Sequence, residues 1–328
     1  MRAFKWLLVV AVLVAAIAAF YVLVPYGPGQ ETFVEIAPGT GSAGIGHELE
    51  QAGVVRSRYA FEAVRMEQLL TGRGGTLKAG EYRFDHAASL MEVYRRLRRG
   101  DVYTVTLVIP EGYNIFDIAD AVQAAGLGSR EAFLQAEMFH VELIRQWSPQ
   151  AKSLEGYLFP DTYRFSRHTT PTQMLTTMVR RFGQQAQRLG LTGTNVSRTV
   201  TLASLVEKEV RFDDERAEVA SVFENRLRAD MPLQTDPAVI YASMLRGTWT
   251  GVIHQSELHS DSAYNTYAHK GLPPGPICSP GVAALKAAMQ PASTEYLYFV
   301  AGQGGRTQFS TTLGTHNAQV TAYRNGQR

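Results

Sequence analysis

The sequence predicts an α+β protein with one N-terminal transmembrane helix, a small α/β region and a mainly helical larger region carrying a C-terminal β-hairpin. Three observations predict it. An uncharged apolar run follows the first two basic residues, Arg2 and Lys5. Two short units of strand, Pro/Gly turn and helix come after it. Beyond them, apolar residues recur at helical spacing until two strand-like runs near the end. The expected boundaries are 1–26 for the anchor, 30–128 for the α/β region and 129–328 for the helical region. The length of 328 residues allows one large or two to three small domains, and 45% apolar with 19% charged residues suits a chain with a real core. A net charge of +2 gives nucleic acid nothing to grip, so no nucleic-acid partner is expected. The single cysteine, Cys278, excludes an intramolecular disulfide and a cysteine-based metal cluster.

The run from Trp6 to Val24 is about 19 residues, or roughly 28 Å as a helix, enough to span a bilayer core. Trp6 at one end and Tyr21 and Tyr26 at the other suit the interfaces. The basic end stays in the cytoplasm, which exports everything after Tyr26. A cleaved signal peptide with a site at Ala16-Ile17-Ala18 is the competing reading, but the apolar run continues past it.

After the Pro25–Gly29 breaker, Phe33–Ile36 reads as a strand, followed by Pro38-Gly39 and a helix through Ile45 and Leu49 to Gly53. Val105–Ile109, Pro110-Glu111-Gly112 and a helix through Ile118 and Val122 to Gly126 repeat the pattern. Between the copies, Lys78–Phe84 reads as a strand. Ser89 to Arg98 reads as a capped helix with Leu90, Val93, Tyr94 and Leu97 on one face. Residues 129 to 195 read as mostly helical, broken by Ser153–Tyr163. The aromatics of that break form either a sugar platform or a core plug beneath a loop. Asp213 and Asp214 offer caps for a helix from Glu215 to Ala229, whose apolar face is Val219, Val222, Phe223 and Leu227 and whose Glu and Arg residues are mostly expected on a solvated face. Tyr296–Val300 and Thr307–Ser310 flank Gly302-Gln303-Gly304-Gly305, a hairpin pattern.

The segment Thr201–Val210 concentrates the chemistry. Successive helical residues turn by about 100°. On that wheel Leu202, Ala203, Leu205, Val206 and Val210 form one stripe. Glu209 falls inside it, whereas Glu207 and Lys208 fall outside. A carboxylate on a core-facing stripe is paired, kept neutral or placed against a cleft. It is therefore either a structural ion pair or a general acid with a raised pKa. No GxSxG elbow, HExxH pair or phosphate-binding glycine loop occurs, and no two of the eight histidines stand at i, i+4. No metal and no cofactor are expected. A two-carboxylate hydrolase needs partners on opposite sides of a sugar. Glu207 and Glu209 point apart on one helix and cannot serve together, but Asp236 from another segment can complement Glu209. A single-acid mechanism, in which a substrate group replaces the nucleophile, is the alternative. Leu233–Pro237 and Ser262–Tyr267 supply amides, hydroxyls and aromatics of the kind that bind sugars, with Gln234, Asp236, Tyr264, Asn265 and Thr266 as the candidates. Turn and capping duties are the competing explanation for them.

Val105–Leu127 resembles the first half of a LysM module, a class that binds the N-acetylglucosamine backbone of peptidoglycan or chitin. Over nearly its whole length the chain resembles the YceG-like family of endolytic murein transglycosylases. The likeness rests, in order, on the anchor, Lys78–Phe84, Glu155–Thr162, Leu202–Glu209, Ala220–Leu227, Leu233–Pro237, Tyr264–Tyr267, Gly271–Gly275 and Ser310–Asn317. It implies a bacterial inner-membrane protein, single-pass, with its enzymatic domain in the periplasmic or cell-wall space. It implies a lyase that cuts the β-1,4 bond between N-acetylmuramic acid and N-acetylglucosamine inside glycan strands and leaves 1,6-anhydromuramoyl ends. It also implies Glu209 as the catalytic residue, peptidoglycan strands as substrate and glycan-polymerising synthases as partners, with strand length as the outcome. In the family a Thr or Ser often follows this glutamate; here Val210 does.

Overall fold

The computed structural model describes residues 2–326 and divides at Val105/Thr106 into two compact units. The chain is mixed α/β, mostly helical, with three two-stranded sheets among the described residues.

The first unit opens with α1 (Arg2–Leu23), of which Phe4–Leu23 is long and apolar enough to cross a membrane. It continues through β1 (Thr32–Ile36), α2 (Ser42–Gln51), α3 (Arg58–Leu70), β2 (Gly80–Phe84) and α4 (Leu90–Arg99). β1 pairs antiparallel with β2, Val34 opposite Tyr82. The inward residues of this ribbon, Val34, Ile36, Tyr82 and Phe84, meet Leu49, Phe61, Val93, Tyr94 and Leu97 in one core. Tyr82 buries its ring fully because its hydroxyl donates to the Lys78 carbonyl at 2.8 Å. Helix α4 buries the four apolar residues its periodicity marks and is capped by Ser89, whose hydroxyl accepts from the Glu92 amide at 3.2 Å.

The second unit holds β3 (Val105–Ile109), α5 (Ile115–Ala124), α6 (Arg130–Phe139), β4 (Asp161–Phe165), α7 (Pro171–Leu189), α8 (Val196–Glu209), α9 (Arg216–Arg228), α10 (Asp236–Leu245), α11 (Gln255–Leu258), α12 (Val282–Met289), β5 (Tyr298–Ala301), β6 (Thr307–Ser310) and α13 (Leu313–Gly326). β3 pairs with β4, and β5 pairs antiparallel with β6, Phe299 opposite Phe309. Helix α8 lies at the centre, with Val200, Leu202, Ala203, Leu205 and Val206 fully buried and α9, α10 and α12 packed against it.

The division at 105/106 differs from the boundary at 128/129 that the sequence suggests. β3 finds its hydrogen-bonding partner in β4, and the turn after it is tied to distant parts of the second unit. The Gly112 amide donates to the Ser279 carbonyl at 2.9 Å, and the Ile115 amide donates to Glu155 at 3.0 Å. The two strand–turn–helix copies thus fall in different units while sharing one local geometry. Both helices end in the same glycine cap: Gly53 at φ +69 and Gly126 at φ +71, with Val54 and Leu127 amides returning to Leu49 and Val122 carbonyls.

The aromatics of Ser153–Tyr163 plug the core. Tyr157 is buried between Trp147 and Phe182, with ring centroids at 6.3 and 4.9 Å. Gly156 beside it has φ +83, and a Cβ there would stand 2.5 Å from Pro276 and 3.0 Å from Val200. The glycine is required for both reasons: the backbone conformation and the close approach of two other segments.

Candidate active site

Glu209 is the last helical residue of α8, half-buried where the chain leaves the helix at Val210. Burial pushes its carboxyl up to about 7, and the nearby Asp236 charge adds to the rise. The C-terminal end of a helix also disfavours a negative charge. Two groups act the other way: the Thr235 hydroxyl, which favours the ionised form, and more weakly the Arg226 guanidinium. That hydroxyl is buried and makes no well-formed hydrogen bond.

Glu207, two residues earlier, is different. It falls outside the apolar stripe on the helical wheel, yet it stands in a buried ion pair with Arg216 at 3.0 Å, the two side chains 6% and 7% exposed. It also accepts from the Gly281 amide at 2.9 Å. That side of α8 is covered by α9, through Arg216, and by the 277–281 segment, while Arg198 and Lys208 elsewhere on the helix stay exposed. Ser204 on the same helix accepts from the Ile277 amide at 3.0 Å. Glu207 is thus paired with a cation for structure, whereas among the described residues Glu209 forms no ion pair.

The Leu233–Pro237 loop brings the remaining groups. Gln234 holds the left-handed conformation at φ +54, a strained setting for a residue with a Cβ. Two anchors enforce it. Its amide donates to the Thr266 carbonyl at 3.1 Å, and the buried Arg226 donates to the Leu233 carbonyl at 2.9 Å and to Gln234 Oε1 at 3.4 Å. Arg226 also donates to the Leu297 carbonyl at 2.7 Å and lies over the Tyr298 ring, on which His316 stacks. Asp236, exposed at the start of α10, accepts a hydrogen bond from the Tyr267 hydroxyl at 2.6 Å.

Of the five residues the sequence suggests for sugar contact, Asp236 stands close enough to Glu209 for its charge to act on it, and Gln234 is exposed on the same loop. Thr266 is buried behind the loop, its hydroxyl accepting from the Thr235 amide at 3.0 Å and donating to the Thr235 carbonyl at 3.3 Å. Asn265 is fully buried and donates to the Leu258 and Ser260 carbonyls at 3.0 and 2.8 Å. Both are corrected from sugar contacts to supports of the loops. Tyr264 packs edge-on against Tyr241 at 5.1 Å, with burial and the Glu155 charge pushing its hydroxyl up to about 12. Sequence reasoning passed over Thr235, Tyr267 and Arg226. The last had a usable signal: at i+4 from Val222 and i+3 from Phe223 it lies on the apolar stripe of α9, which corrects the expectation of a solvated arginine.

Residues 34–322 match the sequence model of the YceG-like family. The chain belongs to that family. Among its YceG-like relatives, the endolytic murein transglycosylase of Bacillus subtilis is 31% identical over 88% of this chain and 84% of its own. That of Streptococcus pneumoniae D39 is 30% identical over 93% of this chain and 61% of its own, longer, sequence. In structure, a YceG-like protein of Listeria monocytogenes superposes with a TM-score of 0.57 at 30% identity, covering 89% of this chain and 99% of that one.

Proposed function

We propose that this YceG-like protein is an endolytic murein transglycosylase, a lyase of peptidoglycan, with Glu209 as its single acid and base. The observation that carries the reading is the contrast between two glutamates. Glu207 is ion-paired, and Glu209 is pushed up to about 7 beside an unspent hydroxyl. A carboxyl with a pKa near neutrality is suited to give a proton and take one back.

Glu209 starts protonated and donates to the glycosidic oxygen between N-acetylmuramic acid and N-acetylglucosamine as that bond breaks. The carboxylate so formed accepts the proton of the muramic C6 hydroxyl, whose oxygen closes onto C1. The product is a 1,6-anhydro end, and no water is consumed. Thr235 stabilises the carboxylate midway through the cycle, taking the place of the hydroxyl that a residue after Glu209 would otherwise supply. Gln234 and Asp236 line the approach, with Tyr267 holding Asp236. The Val105–Leu127 segment serves as a grip on the glycan backbone. Helix α1 anchors the protein in the bacterial inner membrane with the active site outside, beside glycan-polymerising synthases, where cutting limits the length of new strands.

Mass analysis of glycan strands digested by the full chain tests this reading. Anhydro ends support it. Ends that have gained water would favour a hydrolase using Glu209 with Asp236, and binding without new ends would favour a scaffold.

A further inference from the structure

Helix α3 carries two apolar faces. One, through Phe61 and Val64, lies in the core of the first unit. The other is exposed: Tyr59, Ala63, Met66 and Leu70 follow one another at spacings of four, three and four, one stripe on the helix. Three large residues of this stripe are open to solvent, Tyr59 at 66%, Met66 at 58% and Leu70 at 81%. These three side chains, opposite the packed face, take no part in the core of the unit.

Its position relative to α1 explains it. Ser57, Ala60 and Ala63 face Ala18, Tyr21 and Val22 across an apolar cleft of about 260 Å³. The apolar span runs to Leu23, so Ala18 lies five residues, or about 7.5 Å, inside its end. The junction is braced. Arg56 stacks over Phe20 and Tyr26 at 4.7 and 4.6 Å and donates to the Pro25 carbonyl at 3.1 Å, while Tyr26 and Ala88 exchange backbone hydrogen bonds at 2.9 and 3.0 Å. Val22 packs against the core of the unit. The depth of α1 therefore fixes the depth of α3.

We infer that α3 lies in the membrane–water interface at the C-terminal end of the span, with Tyr59, Met66 and Leu70 among lipid and acyl chains filling the cleft beside α1. The occupant is lipid because the stripe, through Ala63, borders the cleft beside the apolar span itself, at the depth where interfacial helices bury their apolar face, about 5–10 Å into the headgroup and acyl boundary. Arg58 lies over the Tyr59 ring at 4.9 Å and Arg56 lies at the end of the span, both cations suited to anionic headgroups. This inference rests on the reading of α1 as a membrane anchor.

The test uses the full chain reconstituted in phosphatidylethanolamine–phosphatidylglycerol vesicles, with a polarity-sensitive fluorophore on single cysteines placed at Met66, Leu70, Val12 or Glu131. Native Cys278 is fully buried, and burial pushes its thiol well above its usual range, so labelling falls on the new site. At Met66 and Leu70 the emission is expected to shift to the blue and to be quenched by lipids brominated near the headgroup. At Val12 quenching comes from deeply brominated lipids, and at Glu131 from neither. Aqueous emission at Met66 and Leu70 with Val12 still quenched would overturn the inference alone. Loss of quenching at Val12 would overturn the anchor. A blue shift at Met66 and Leu70 without bromolipid quenching would mean a protein occupant and would also overturn it.

Discussion

Glu207 and Glu209 stand two residues apart on one helix and meet opposite surroundings, which makes their substitutions separable. Glu209→Gln removes the exchangeable proton and is expected to cut the rate by at least about 10²–10⁴ while the fold persists. Glu207→Gln removes one of the two carboxylates on the buried Arg216 and leaves Asp213 at 3.0 Å, so the loss of stability should stay below the roughly 3–5 kcal/mol of a buried charge with no partner. Its melting temperature should fall, with activity per folded molecule largely kept. The pH profile adds direction. In the proposed mechanism Glu209 starts protonated, so kcat/KM should decline as pH rises through about 7. The Thr235 hydroxyl favours the ionised form, so Thr235→Val should move that decline to higher pH. Asp236 opposes ionisation, so Asp236→Asn should move it to lower pH. Shifts in the reverse directions, read from full pH–rate profiles, would contradict the assignment of these neighbours.

The elements that position the site are held by groups whose duty is structural. Asn265→Ala orphans the Leu258 and Ser260 carbonyls, with an expected cost of about 1–3 kcal/mol in thermal unfolding. A sugar-contact role would instead raise KM at unchanged stability. Gly156→Ala forces a side chain into φ +83 and against Pro276, and should lower the melting temperature by bringing the Glu155–Tyr163 segment off α8. Much of this was legible in the sequence. Apolar periodicity marked the buried face of α4, and the wheel placed Glu209 on the packed side of α8. The burial of Glu207 and Arg226 was not legible, because a wheel gives the direction of a side chain but not what packs against it. In the sequence Asn265 and Thr266 look like ligand groups because polar loop residues bind sugars and backbone with the same atoms. Only the fold shows that carbonyls took theirs. The boundary after Val105 depended on the pairing of β3 with β4, a contact between strands more than fifty residues apart that periodicity does not report.

Across the whole molecule, buried carboxyls tie stability to pH. Burial pushes Glu137 up to about 7 and Glu155 up to about 8 from an ordinary value of 4.5. The folded chain then holds protons that the unfolded chain releases. Stability is full below about 4.5 and is lost as pH rises through 7 and 8, at up to about 1.4 kcal/mol per pH unit for each group between its two values. Glu155→Gln should flatten this dependence in melting curves taken from pH 5 to 9. It should also lower stability at pH 5, since its amide cannot accept from both the Ile115 and Gly156 amides. The same physics, burial of a carboxyl without a cation paired to it, sets the reactive state of Glu209, and the central claim is that this one group performs both proton transfers. The most direct measurement is the mass of the ends released from uncrosslinked glycan strands by the full chain and by Glu209→Gln. Internal cuts with 1,6-anhydro ends are expected from the unmodified protein and none from the variant. Ends that have gained water, or anhydro ends still produced at a comparable rate by Glu209→Gln, would contradict it.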